Sequence, residues 1–399
     1  MQNEMQKPSD KLKAARHTFS LLGFSALLLL VGQLLVSVLV GICIGLFFPE
    51  GNTPAWLTML LVYIGVYGVA FPLSALPLCR LPAAAPDKGK ISVQHFLAFL
   101  PVLYLCSYVG ALLGNLVGSL ASDALGLQIT NGVDALMENN TLLLFFITVI
   151  LAPICEEWFF RKLLIDRTRG YGEKLAVVVS ALLFAFYHTN IYQFFYAFFI
   201  GLVFGYVYLR TGKVTITALM HAIFNFFGGI ISAEVLRVSD IMSVLEAETI
   251  EAQVAAIKAN PVGIGIFFVY GFLCLGLLIG GCVLLVKYRK KIFFKPAAEQ
   301  LPPDTEGAAA FVNVGMLIYI IVSAAAAFIL GSMIYGGIIP SLHTAEITTQ
   351  KILYRLAASR CRFMIIKQVG LRQEKTTEKS LRGFCSVQKI QAVAQPSFA

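Results

Sequence analysis

The sequence predicts an all-α fold: a polytopic transmembrane helical bundle of about eight or nine spans with its N-terminus in the cytoplasm. The first observation behind this prediction is the composition, because 58% of the 399 residues are hydrophobic and only 13% are charged, against roughly 25% charged in a soluble domain. The second is a series of apolar segments close to the about 20 residues that cross a bilayer. This composition excludes a soluble enzyme and also a disordered chain, which would be poor in apolar residues.

Nine apolar segments are candidate spans, and helices are the default structure at such lengths. In chain order they cover residues 19–47, 55–78, 96–120, 142–165, 174–190, 192–209, 214–233, 262–286 and 312–339. The first is far longer than the roughly 7–15 apolar residues of a signal peptide, so we expect it to stay in the membrane. We therefore predict a cytoplasmic segment over 1–18, a transmembrane domain over 19–340 and a basic tail over 341–399 with no assigned role.

Basic and acidic residues alternate between the loops. Lys and Arg precede the first segment and follow the second, fourth, sixth and eighth, whereas Asp and Glu dominate the intervening loops. Because cytoplasmic loops carry the excess of Lys and Arg, this pattern puts the N-terminus in the cytoplasm. The basic tail departs from the pattern, so either the ninth segment does not fully span or the tail is an appended or non-native reading of the gene.

The formal net charge of +9 does not indicate a nucleic-acid partner. The tail alone holds ten Lys and Arg against three Asp and Glu, which leaves the first 340 residues at only +2. The lipid bilayer is the expected environment.

Two stretches have structural interpretations. Gly110, Gly114 and Gly118 repeat every four residues, a spacing that lets membrane helices approach closely, and we interpret them as a packing surface. Residues 234–260 are acidic and lack a strong amphipathic pattern, so we predict a loop there.

Ionisable side chains in the middle of a span are costly, by roughly 2.5 kcal/mol or more at the bilayer centre. Three of the nine segments hold such groups: the fourth has Glu156, Glu157, Arg161 and Lys162, the fifth has His188, and the seventh has His221 followed by Asn225. With a rise of about 1.5 Å per residue, four of these groups lie about 11–21 Å from the segment ends that join the basic loops, namely Glu156, His188, His221 and Asn225. We therefore predict one shared site inside the membrane.

Spacing assigns the faces of this site. Glu157 and Arg161 are four residues apart, so their opposite charges are expected to meet. Glu156 is rotated by about 100° from Glu157 and can face a different neighbour. His221 and Asn225 are also four residues apart and share one face of their helix.

These residue types suit hydrolysis. A carboxylate in an apolar pocket can act as a general base for water, a histidine can help to hold that water, and amide and imidazole groups can donate to an oxyanion. Two histidines and a glutamate also suffice to bind a catalytic zinc. Glu156, His188 and His221 are the candidate ligands, although the HExxH motif is absent.

Three short motifs follow one another on these segments. They are Glu156-Glu157-Trp-Phe-Phe-Arg161 (EExxxR), Phe184-Ala-Phe-Tyr-His188 (FxxxH) and His221-Ala-Ile-Phe-Asn225 (HxxxN). In this order they resemble the CAAX-protease and bacteriocin-processing family of intramembrane proteases, also called the Abi family. The resemblance covers roughly residues 140–235, and it implies a helical membrane bundle that cleaves peptide bonds.

The resemblance also implies roles for six residues. Four are catalytic: Glu156 as the general base, His188 as the partner that orients the water, and His221 with Asn225 on the side of the oxyanion; Glu157 and Arg161 are supporting. The implied substrate is a membrane-associated peptide or protein. Metal-dependent and metal-free mechanisms are both considered for the family, so a zinc ion stays possible.

Two other functions remain open. The same pocket could bind a partner without cleaving it, as in the bacteriocin-immunity and scaffolding proteins that the resemblance includes. A transporter with a proton relay would require repeat symmetry, and the polar motif does not recur in the sequence. The topology fits an integral protein of a bacterial plasma membrane.

Overall fold

The computed structural model describes residues 8–48, 53–125, 141–297 and 299–333, and every regular element within these ranges is a helix. This confirms the all-α fold. The helices are α1 (Pro8–Phe47), α2 (Ala55–Gly65, Val66–Ala70 and Phe71–Ala75), α3 (Val93–Leu125), α4 (Thr141–Phe145, Phe146–Leu151, Ala152–Glu156, Glu157–Leu163 and Leu164–Thr168), α5 (Glu173–Tyr187), α6 (Ile191–Thr211), α7 (Val214–Asn225, Phe226–Ile231 and Ser232–Ser239), α8 (Ile241–Leu245), α9 (Ile250–Ala259), α10 (Pro261–Tyr288), α11 (Pro303–Phe311) and α12 (Val314–Met333). The basic tail 341–399 lies outside the described residues.

Three of these helices are interrupted by π-helical turns. The turns are Val66–Ala70 in α2, Phe146–Leu151 and Glu157–Leu163 in α4, and Phe226–Ile231 in α7. A π turn closes its hydrogen bonds over five residues, so it rotates the side chains that follow. Pro153 lies between the two π turns of α4, where it removes one backbone N–H from the helical ladder.

Seven helices in the described ranges are long and apolar enough to cross a membrane. The pair α11 and α12, bent by 61° at its break, makes an eighth if it is counted as one span. These account for eight of the nine predicted segments, and the exception is 174–190. Its helix α5 has 15 residues, or about 22 Å, which is short of the about 30 Å of a bilayer core.

The predicted loop at 234–260 is wrong, because this stretch is largely helical. It contains the end of α7, the short helix α8 and the helix α9. Asp240, with a φ of 49°, separates the first two. Thr249 caps α9 by accepting from the N–H of Ala252 at 3.2 Å, and Asn260 caps α10 by accepting from Gly263 at 3.0 Å. In α9, four alanines among ten residues and the Thr249 cap favour a helix although the sequence shows no strong amphipathic pattern.

Helix α6 lies inside the bundle and packs along α3 and α5, while α12 packs on α1 and α10 packs on α3. The glycines of α3 make the closest approach. Gly110 and Gly114 lie against the backbone of Tyr196 and Tyr192, and Gly118 lies against the ring of Tyr192. A side chain at these positions would collide with α6, which confirms that the glycine repeat is a packing surface.

Two loops cover neighbouring ends of α4, α5 and α6: the loop between α2 and α3, and the loop between α10 and α11. The charge pattern assigns these ends to the cytoplasm. In the first loop, the N–H of Ala84 donates to the carbonyl of Asp166 at 2.7 Å. In the second, the N–H of Lys295 donates to Glu173 Oε2 at 2.7 Å. These bonds hold the ends of the helices together below the polar groups.

Candidate active site

Helix α4 supplies two adjacent carboxylates and a guanidinium. Glu156 ends the α-helical stretch Ala152–Glu156, and Glu157 begins the second π turn. Glu157 Oε2 lies 3.2 Å from Arg161 Nε, and both side chains are fully buried. Glu156 is only 6% exposed. All three groups lie in the interior, where an unpaired charge is strongly destabilising.

The Arg161 guanidinium is held from several sides. Its Nη1 donates to Ser180 Oγ of α5 at 3.3 Å, and Ser180 donates in turn to the carbonyl of Phe160 at 2.6 Å. The guanidinium carbon lies 4.6 Å from the ring centre of Phe184 and 5.7 Å from that of Phe204. Hydrogen bonding and cation–π attraction together fix the position of this charge.

His221 of α7 lies between the two carboxylates. Its Nδ1 is 3.1 Å from Glu157 Oε1, and its Nε2 is 3.9 Å from Glu156 Oε2. Because an ionised carboxylate only accepts, Nδ1 carries the proton in the shorter contact. The longer separation exceeds a hydrogen bond, so Glu156 Oε2 and His221 Nε2 are not directly bonded. The ring of Phe204 stacks on the imidazole, with 5.1 Å between the ring centres.

A tyrosine from α2 completes the set. The hydroxyl of Tyr67 donates to Glu156 Oε1 at 3.2 Å. Tyr67 belongs to the π turn Val66–Ala70 and is buried. A chain of polar contacts therefore runs from Arg161 through Glu157, His221 and Glu156 to Tyr67, with members from α4, α7 and α2.

His188 lies at a break in the chain and not within a span. Helix α5 ends at Tyr187, so His188 is its C-cap, and Thr189 follows with a φ of 45°. Nδ1 of His188 donates to the carbonyl of Phe184 at 2.8 Å, which leaves Nε2 as an acceptor in the neutral ring. The side chain is half-buried, and no hydrogen bond joins it to Glu156 in the described part of the chain.

Asn225 ends the first stretch of α7, one turn beyond His221. Its Nδ2 donates to the carbonyl of Thr148 at 2.8 Å, in the first π turn of α4. The side chain is half-buried. Because an amide nitrogen has two donor hydrogens, Asn225 can donate to a second acceptor beside Thr148.

The candidate zinc ligands do not gather around one point. Glu156 Oε2 and His221 Nε2 lie 3.9 Å apart, while His188 donates its Nδ1 proton to the carbonyl of Phe184 and keeps Nε2 free. Among the described residues, no three His, Cys, Asp or Glu side chains form a group that could hold a metal ion. The donor arrangement therefore does not fit the zinc site that the residue types allowed.

Three residues that contact these groups carry no motif signal. Tyr67 bonds to Glu156, Ser180 bonds to Arg161, and Phe204 stacks on His221. Each lies in an apolar segment where sequence gives no reason to single it out. Phe184 has a signal as part of FxxxH, and its ring lies edge-on to both histidines.

The fold and the site define a class: an integral membrane protein with a buried glutamate and histidine site between its helices. Residues 138–227 match the family model described as type II CAAX prenyl endopeptidase Rce1-like. This match covers the segment that carries the three motifs, confirms their resemblance to the CAAX-protease family and supports a protease at the level of the family. Helices α1, α2 and α3 lie outside the matched segment. No curated protein and no solved structure matches the chain.

Proposed function

We propose that the protein is an intramembrane endopeptidase of a bacterial plasma membrane, which hydrolyses a membrane-associated peptide or protein. The observation that carries the proposal is the position of Glu156, buried between the Tyr67 hydroxyl and the His221 imidazole. Arg161 pairs with Glu157, so Glu156 has no Arg or Lys partner within 4 Å among the described residues. Such a carboxylate is costly as a purely structural element, and use as a general base accounts for it.

In the proposed reaction, Glu156 accepts a proton from a water molecule as the water oxygen attacks the carbonyl carbon of the scissile peptide bond. The electron pair of the C=O bond moves to oxygen and gives a tetrahedral oxyanion. When this intermediate collapses, the C–N bond breaks and the proton on Glu156 passes to the leaving nitrogen. The carboxylate is restored, and water is the only co-reactant.

The remaining polar groups act on the water and the oxyanion. His188 suits the water, because its Nε2 is an acceptor while its Nδ1 proton is held by a backbone carbonyl. Asn225 can donate to the oxyanion, and His221 Nε2 can do so only when the ring carries a second proton. Glu157 holds the Nδ1 proton of His221, and Arg161 holds Glu157, so both support the orientation of that ring.

The test compares cells that carry either the wild type or Glu156→Gln at equal membrane abundance. Their peptides and trimmed membrane proteins are quantified by mass spectrometry. The glutamine keeps the size of the side chain but cannot take the proton, so we expect the products to fall by about 10²–10⁴-fold. Asp166→Asn is the matched control. It makes the same change at another buried carboxylate of α4, which bonds to Tyr208 at 2.7 Å, and it should keep the products.

Identical products from the wild type and Glu156→Gln would overturn the proposal that the protein is a protease. If the variant also keeps the biological phenotype of the wild type, a binding or immunity protein accounts for the site instead. A second arm assays the purified wild type with and without a chelator. We expect equal rates, because the candidate ligands do not converge.

A further inference from the structure

Tyr67 lies outside residues 138–227, the segment that matches the family model. Its side chain nevertheless contacts Glu156, the proposed general base. Its hydroxyl holds Glu156 Oε1 at 3.2 Å, while Glu156 Oε2 faces His221 Nε2 at 3.9 Å. The two oxygens of the carboxylate therefore have different neighbours. We propose that Tyr67 is a positioning residue, which holds one oxygen of Glu156 so that the other oxygen stays directed toward His221 and free to accept a proton. This inference rests on the proposed protease function.

The Tyr67 ring is fixed by its surroundings. It stacks on Tyr63, with 5.8 Å between ring centres and 13° between the planes, and it packs on Phe71 at 5.2 Å. Phe71 is itself packed edge-on against Phe159 of α4 at 5.8 Å. The π turn that contains Tyr67 rotates it relative to a regular helix. Packing and backbone together aim the hydroxyl at Glu156.

Holding Glu156 Oε1 has a consequence for the 3.9 Å gap. A glutamate side chain has several rotatable bonds, and a carboxylate near an imidazole gains energy by closing to direct contact. The bond from Tyr67 opposes that movement, because advancing toward His221 would break it. Glu156 Oε2 is thereby kept free of a direct hydrogen bond to His221 and available to accept a proton.

The experiment compares Tyr67→Phe with Tyr63→Phe in the full-length protein. Both variants keep the aromatic stack and remove one hydroxyl, but only Tyr67 donates to Glu156. The assay uses the peptide whose cleavage depends on Glu156 in cells. We expect Tyr67→Phe to lower kcat by about tenfold with an unchanged KM, and Tyr63→Phe to leave both constants unchanged.

A second readout does not require activity. Dicyclohexylcarbodiimide modifies carboxyl groups in apolar surroundings, and its attachment at Glu156 is quantified by mass spectrometry. Loss of the Tyr67 hydroxyl frees one carboxylate oxygen, so labelling at Glu156 should be about tenfold faster in Tyr67→Phe than in the wild type or Tyr63→Phe.

Unchanged kcat and unchanged labelling in Tyr67→Phe would overturn the inference, as would equal effects in the two variants. A rise in KM alone would also overturn it, because it indicates a contact with substrate and not with the base. If neither the wild type nor the variants cleave any peptide but labelling is still faster in Tyr67→Phe, the proposed protease function is rejected. The contact between Tyr67 and Glu156 would then still be supported.

Discussion

Helices α2, α4 and α7 differ from helices α1, α3 and α10 in both backbone and side chains. The first group contains π turns and carries the polar chain from Tyr67 to Arg161. The second group is free of π turns in its described residues and is apolar along its middle. Of the 28 residues of α10, the buried ones are Gly263, Ile264 and Gly281.

The π turns thus occur in the helices that carry the candidate active site. Each turn holds or adjoins a residue with a polar contact at the site. Tyr67 lies in the turn of α2, and Glu157 lies in the second turn of α4. Thr148 lies in the first turn of α4, and its partner Asn225 precedes the turn of α7. π turns are rare and occur frequently at functional sites. We infer that the wide turns aim the polar groups, while α1, α3 and α10 lie around them.

The largest effect on stability is expected at the buried ion pair. Arg161→Met leaves the buried Glu157 carboxylate without its arginine partner, with only His221 still bonded to it, and should cost about 3–5 kcal/mol in unfolding free energy. Thermal unfolding in detergent measures this loss. Arg237→Met is the matched control, because Arg237 pairs with Glu234 at 2.5 Å but is 71% exposed; it should cost no more than about 1 kcal/mol.

A double variant sharpens this prediction. Glu157→Leu combined with Arg161→Met removes both charges, so it should recover most of the stability lost in the single variant. It also removes the group that holds His221 Nδ1, so cleavage should stay low. Recovery of full cleavage would contradict the supporting role of Glu157.

The next effect concerns the rate of cleavage. Asn225→Ala removes the donor proposed for the oxyanion and should lower kcat by about 10²–10³-fold. Its stability should fall by about 1 kcal/mol, through the lost bond to Thr148. Asn313→Ala is the control, since Asn313 bonds backbone carbonyls at the break between α11 and α12. An equal loss of rate in both variants would show that Asn225 acts through folding alone.

A pair of glycines tests the packing difference between the two groups of helices. Gly114→Leu places a side chain against the backbone of Tyr192 in α6 and should cost about 1–3 kcal/mol. Gly276→Leu in α10 meets open space within 4 Å and should leave the unfolding temperature unchanged. If the two variants unfold at the same temperature, the contact of α3 with α6 does not contribute as described.

The smallest effect is expected on the exposed face of α10. Phe272 is 71% exposed, so Phe272→Ala should change stability by less than about 0.5 kcal/mol. The same truncation at the fully buried Phe160 should cost about 3–5 kcal/mol. Thermal unfolding of both variants in one detergent compares the two positions, and a large loss at Phe272 would indicate a partner on that face.

The sequence allowed prediction of the membrane fold and of the motif-bearing helices, because charges are so costly inside a bilayer that their presence is informative. Glu156, Glu157, Arg161 and His221 do come together in the structure. The position of His188 could not be predicted. Helix α5 ends before it without a glycine or a proline, and Thr189 adopts a positive φ that its residue type does not favour.

Tyr67 could not be found from the sequence either. It lies 89 positions before Glu156 in an apolar segment, and it is one of 15 tyrosines in the chain. Its role depends on a π turn and on packing between helices that are distant in sequence. Local patterns report neither of these.

The most direct test of the account is the cleavage rate of purified protein in liposomes. The wild type, Glu156→Gln and Asp166→Asn are each mixed with the peptide whose processing depends on Glu156 in cells, and the products are quantified over time. The account predicts that Glu156→Gln loses at least about 10² in rate, whereas Asp166→Asn keeps cleaving. Cleavage by Glu156→Gln at the rate of the wild type would contradict the assignment of Glu156 as the general base.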